Sequence, residues 1–95
     1  MISLDKIATR IIHEQELVIG PLAWSEARKV QGLTVDPAHG QVVISNTVDQ
    51  KVAVDQLVAQ YERLFGRASH EVCRDAVASL VADMQPAEVP SSLRH

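Results

Sequence analysis

From Leu4 onward, apolar residues fall at Leu4, Ile7, Ala8, Ile11, Ile12 and Val18, with Asp5, Lys6, Arg10, His13 and Glu14 between them. A recurrence near 3.6 residues marks an amphipathic helix, and Ser3 stands where an N-cap hydroxyl is needed. Gly20-Pro21 ends this helix, because the residue before proline is driven out of the α region while Pro21 suits the first position of the next helix. The second helix is predicted from Pro21 to about Gln31, burying Leu22, Ala23, Trp24, Ala27 and Val30, with Gly32 closing it in a left-handed conformation.

The period then drops to two. Leu33 and Val35 flank Thr34, and Val42 and Ile44 flank Val43, which reads as a short β-hairpin around Asp36-Pro37-Ala38-His39-Gly40. Pro37 pre-sets the second position of a type I turn and Gly40 can return the chain with positive φ. Thr47 and Gln50 have the spacing of a capping box for a third helix, Val48 to Phe65, with Val54, Leu57, Val58, Tyr61, Leu64 and Phe65 inward. Gly66 stops it. Ser69 is the expected cap of a fourth helix burying Val72, Cys73, Ala76, Val77, Leu80, Val81 and Met84 and ending before Pro86. The predicted architecture is α+β and mostly helical: four helices with a short β-hairpin inserted between helices 2 and 3, forming one domain over residues 1–85. Residues 86–95, with two serines, Pro90 and few bulky apolar side chains, read as a flexible tail. No internal repeat or low-complexity tract is apparent.

Composition narrows the function more by exclusion than by assignment. Of 95 residues 46% are hydrophobic, and 9 basic against 12 acidic side chains leave a net charge of -3. The apolar content favours a packed core over disorder, and basic residues scattered among acids oppose a nucleic-acid or anionic-membrane surface. No apolar run approaches the roughly 20 residues that cross a bilayer, and charges interrupt the N-terminal pattern too often for a signal peptide. A single cysteine, Cys73, excludes an intramolecular disulfide framework and fits a reducing cytoplasm.

The candidate chemistry is sparse. His70 and Cys73 lie three apart on one predicted helix, the spacing of two metal ligands or of an imidazole-activated thiol, with His13 a conceivable third group. Cys73 falls within the apolar stripe, which reads first as a small core residue. No nucleophile elbow or glycine-rich phosphate cradle appears, so no enzyme and no cofactor is expected. The acids read as surface charges, with Lys51–Asp55 and Arg67–Glu71 spaced for helical ion pairs. A helix-turn-helix over Tyr61 to Leu80 fails because the first helix is too long, Arg67 holds a turn position usually apolar, Glu62 sits where a small residue is required, and Glu71 and Asp75 face a single Arg74.

Ile19-Gly20-Pro21-Leu22-Ala23 form an I-G-P-x-A corner after one helix, followed further on by a leucine-rich pair of helices. This pattern resembles small domains of unknown function appended to bacterial signalling proteins, beside kinase, forkhead-associated or roadblock-type modules. The resemblance implies an interaction or regulatory module with no catalytic residues to carry over. The expectation is a non-catalytic cytoplasmic adaptor acting as a homodimer and contacting a further, unidentified protein of the signalling type. The alternative is a ligand- or metal-responsive sensor built on His70 and Cys73. Gly20, Pro21, Trp24 and Arg28 are the candidate partner surface, with Trp24 either an exposed anchor or a core residue. Val43, which makes the second face of its strand apolar, is the candidate for self-association through the hairpin.

Overall fold

The computed structural model describes residues 3–94. Its elements are α1 (Leu4–Ile19), α2 (Leu22–Ala27), β1 (Leu33–Asp36), β2 (Gln41–Ile44), α3 (Gln50–Phe65) and α4 (Arg67–Val81), followed by 3₁₀ turns at Pro86–Glu88 and Ser91–Leu93. This is the mostly helical α+β architecture with a hairpin between the second and third helices. The strands pair antiparallel in the register Leu33↔Ile44 to Asp36↔Gln41.

Local chemistry explains where the boundaries moved. α2 stops at Ala27, four residues short of Gln31, because the chain tightens into i→i+3 bonds from Lys29 N–H to Glu26 O and from Val30 N–H to Ala27 O. The Thr47–Gln50 capping box does not form. Thr47 pairs with the Ser45 hydroxyl, and the charged carboxylate of Asp49 accepts from the N–H groups of Lys51 and Val52 instead. Ser69 is not a cap either: Gly66 O accepts its N–H at 3.1 Å, so α4 starts directly at Arg67 and Ser69 is buried inside it.

The core gathers Ile7, Ala8, Ile11 and Ile12 of α1, Ala23, Trp24 and Ala27 of α2, Val42 and Ile44 of β2, Ala53, Val54, Leu57, Val58 and Tyr61 of α3, and Cys73 and Val77 of α4. Contrary to expectation, Val18, Leu22, Leu64 and Phe65 stay outside it, as does the half-buried Val72, and Ala76, Leu80, Val81 and Met84 pack against it only partly buried. The final segment is corrected as well. Rather than hanging free, residues 86–94 fold back over α3 and α4, burying Val89 and Leu93; His95 lies outside the described residues. Asp55 holds this segment by accepting from Ser92 N–H and from the hydroxyls of Ser91 and Ser92, and Lys51 Nζ donates to Ala87 O. Both residues are thereby taken from the ion pair their spacing predicted. Arg67–Glu71 is likewise not the pair seen, since Glu71 meets Arg74 at 3.3 Å.

The structure also contains a repeat that the residue pattern conceals. Asp49, the N-cap of α3, lies 46 positions after Ser3, the N-cap of α1. The same shift carries Leu4–Ile19 onto Gln50–Phe65 and Gly20 onto Gly66. It carries the buried set Ile7, Ala8, Ile11, Ile12 and Gln15 onto Ala53, Val54, Leu57, Val58 and Tyr61. Two helix-glycine-helix units result, and they bond reciprocally. Gln15 Nε2 donates to Ser69 O at 2.9 Å, while Tyr61 Oη, the counterpart of Gln15, donates to Ala23 O, the counterpart of Ser69, at 2.7 Å. Such an exchange is the mark of an isologous contact, in which residue i meets j and j meets i.

Candidate functional site

The Gly20-Pro21 corner takes its shape from backbone that side chains disfavour. Gly20 has φ 75 and ψ -161, and Gly66 at the second corner has φ 86 and ψ -176, a region open in practice only to glycine. Each glycine N–H caps its helix at 2.8 Å, to Glu16 O and Glu62 O respectively, before the chain turns into the next helix. The carboxylates one turn earlier then receive the side chain eight residues on. Trp24 Nε1 donates to Glu16 Oε2 at 2.8 Å, and His70 Nδ1 lies 3.4 Å from Glu62 Oε1.

Trp24 is therefore a core residue in this fold, 5% exposed, with its N–H satisfied and the His13 ring edge-on at 5.3 Å. It is not presented as a surface anchor, although Pro21 and Arg28 beside it are exposed. His70 and Cys73 are not brought together as a site. His70 turns to Ser92 O at 2.6 Å, and Cys73 faces inward, where Gln15 Nε2 donates to its Sγ at 3.2 Å. Burial pushes the Cys73 thiol up to about 11, only partly offset by that hydrogen bond, which disfavours the reactive thiolate. His13 is engaged elsewhere, with Nε2 2.9 Å from Gly40 O. Among the described residues no three His, Cys, Asp or Glu side chains group as metal ligands, and no helix is long and apolar enough to cross a membrane.

Sequence reasoning missed a row of side chains that holds the hairpin. Asp5, Thr9 and His13 stand four apart on α1, and every second residue from Ile44 of β2 back to Gly40 in the turn before it faces them. Ile44 N–H donates to Asp5 Oδ1, Val42 N–H donates to Thr9 Oγ1, and Gly40 O faces His13. Four helix residues (about 6.0 Å of rise) nearly match two strand residues (about 6.6 Å), which lets successive rungs meet. The outer edge of β2 is thus occupied. On β1, Leu33 N–H is already bonded to Val30 O and Pro37 has no N–H, leaving Val35 with an open donor and acceptor. Val43 is exposed on the face of the hairpin, but neither edge offers a long ladder for pairing through it.

Two further polar arrangements are structural. Glu26 accepts from Gln60 Nε2 at 2.7 Å and Lys29 Nζ at 3.0 Å, and these two partners hold its carboxyl below the usual carboxylate range. An open cleft of ≈ 520 Å³ between the N-terminal ends of α1 and α3 is lined by Leu4, Met84, Asp5, Asp49, Lys51 and Glu88 among others. Asp5 and Asp49 in it are already committed to backbone N–H groups.

The opposite end of the molecule is different in character. Leu17 and Val18 near the end of α1, Leu22 in the first turn of α2, and Leu64 and Phe65 at the end of α3 are all solvent-exposed. The bonds Gln15–Ser69 and Tyr61–Ala23 tie both corners together about one turn below these residues. Five of the seven large apolar side chains exposed among the described residues lie at this end, Val43 on the hairpin and Val52 in the first turn of α3 being the other two, and packing within the chain does not use them. Compared with protein-family models, curated proteins and solved structures, the chain matches none of them.

Proposed function

We propose that this chain is a non-catalytic protein-interaction module of the regulatory or adaptor kind, working in the cytoplasm through its apolar end. The observation that carries this reading is the exposure of Leu17, Val18, Leu22, Leu64 and Phe65 around the two glycine corners. Two lines of support accompany it. The groups that could have carried chemistry, His13, His70 and Cys73, are each spent on an internal hydrogen bond. The Ile19 to Ala23 corner, which resembles small domains appended to bacterial signalling proteins, lies within the same end.

Photo-crosslinking in living cells tests the proposal. A photoreactive side chain placed at Leu64 should yield a discrete protein adduct, whereas one at the exposed Gln56 should not. Equal and diffuse labelling from both positions would sink it.

A further inference from the structure

We infer that the apolar end is the contact surface for a second copy of this chain, joined end to end about a two-fold axis so that the Gly20 corner of each copy meets the Gly66 corner of the other. This inference rests on the interaction-module reading and names its partner.

The surface itself argues for such a partner. Leu17 is 80% exposed, Val18 63%, Leu22 45%, Leu64 47% and Phe65 36%. Four of the five are aliphatic, and together these fractions leave on the order of 300 to 500 Å² of apolar surface, the size of patch that marks an interaction site on a monomer. Two such ends facing one another remove on the order of 600 to 1,000 Å² from water, the range of a weak, reversible and concentration-dependent association.

Symmetry supplies the second argument. Val18 and Leu64 are counterparts in the internal repeat, as are Ile19 and Phe65, so the end presents two related apolar corners. A single helix or strand matches one corner at a time. A second copy carries the same pair and engages both at once, in an isologous and therefore closed contact.

Charge selects the pairing. At the second corner Arg63 and Arg67 are exposed, and the repeat places Leu17 and Pro21 at the equivalent positions of the first corner, with Glu14 partly exposed one turn before. Like corners meeting would set the arginines of both copies together. Unlike corners meeting sets Leu17 against Leu64 and Phe65 and brings the arginines toward Glu14. The hairpin is the competing surface, and its edges are largely used up by the α1 side chains, Val30 and Pro37.

Sedimentation equilibrium on the full chain decides this, with Leu17→Asp, Leu64→Arg and Val43→Lys as variants and far-ultraviolet circular dichroism as the check that each folds. The wild type should approach twice the 10.4 kDa chain mass with rising concentration. Leu17→Asp and Leu64→Arg should each weaken the dimer by about tenfold or more. An equimolar mixture of these two should recover association, because one half-interface becomes Asp against Arg while the other keeps Leu against Leu. Val43→Lys should leave the dimer unchanged. Loss of the dimer in Val43→Lys alone would overturn the inference while leaving an interaction module that works through its hairpin. A monomer at every concentration would overturn it too, and the Leu64 crosslinking experiment then judges the broader reading separately. Failure of the mixture to recover, with both single variants monomeric, would overturn the pairing of unlike corners.

Discussion

Trp24 is buried in the core with Ala23 and Ala27, with Glu16 on its N–H and His13 against its ring. Trp24→Ala should cost about 3 to 5 kcal/mol, as large aromatic truncations in cores do. Urea titration followed by circular dichroism measures it, and a loss under 1 kcal/mol would contradict this environment. Cys73 gives a pH signature. Its thiol sits near 9.0 ordinarily and at about 11 in the fold, so between those values the unfolded chain has released a proton that the native one still holds. Stability is therefore full below about pH 9 and falls as pH rises toward 11. Burial raises Tyr61 in the same direction, extending the decline to higher pH. Cys73→Ala should make the pH 9 to 11 segment of the stability curve shallower, and native Cys73 should react with a disulfide reagent only as fast as the chain opens. The inward side of Cys73 was legible from its place in the apolar stripe. Gln15 was just as legible by spacing, four after Ile11 and three after Ile12, but its polarity hid a side chain that is completely buried.

At the level of elements, the helices and the hairpin followed from period and punctuation because each signal is local: Ser3, Gly20, Pro37 and Gly66 act on their immediate neighbours. The C-terminal segment could not be read that way. Its anchors Val89 and Leu93 are separated by proline and serine, with no helical or strand period, and the group that captures it, Asp55, sits on α3 far away in sequence. Leu64 and Phe65 show the converse failure, since the period of α3 continues through them after the packing partners have ended. Removing residues 86–95 should lower the melting temperature by about 10 °C or more, given roughly 1.5 to 3 kcal/mol for each buried aliphatic side chain. Asp55→Ala should produce a smaller loss of about 1 to 3 kcal/mol by freeing the two serines. Differential scanning calorimetry compares the two, and an unchanged transition in the truncated chain would restore the reading of this segment as a flexible tail.

At the scale of the whole molecule, residues 3–30 and 49–76 are two units of one design, with the hairpin and the C-terminal segment added to them. The repeat escaped notice in the sequence because only Glu16/Glu62, Gly20/Gly66 and Arg28/Arg74 are identical between residues 3–30 and 49–76; elsewhere the correspondence is of burial, not of residue type. Neither unit can cover its own apolar face, since Ile7, Ile11 and Ile12 in one and Val54, Leu57 and Val58 in the other form a common core. A chain cut between Asn46 and Thr47, both exposed, should give two fragments that are largely unfolded alone and regain helical circular dichroism when mixed. Independent folding of either fragment would show that the shared core is not needed for its helices.

The row Asp5, Thr9 and His13 has a consequence for how the chain is threaded. Complementary units could in principle seat across two molecules as readily as within one, the first unit of one chain receiving the second unit of another. What separates these outcomes is the tether. With β2 pinned to α1 through Ile44, the linker Ser45 to Val48 must reach the N-cap of α3 at Asp49, and at about 3.3 to 3.6 Å per residue the five steps from Ile44 to Asp49 span no more than ~18 Å. α3 is thus delivered beside the helix that holds the strand. Unpinned, the hairpin would become a long leash and the exchange of partners a matter of concentration. Three side chains on α1 thereby favour a fold that closes on itself over one that closes on a neighbour.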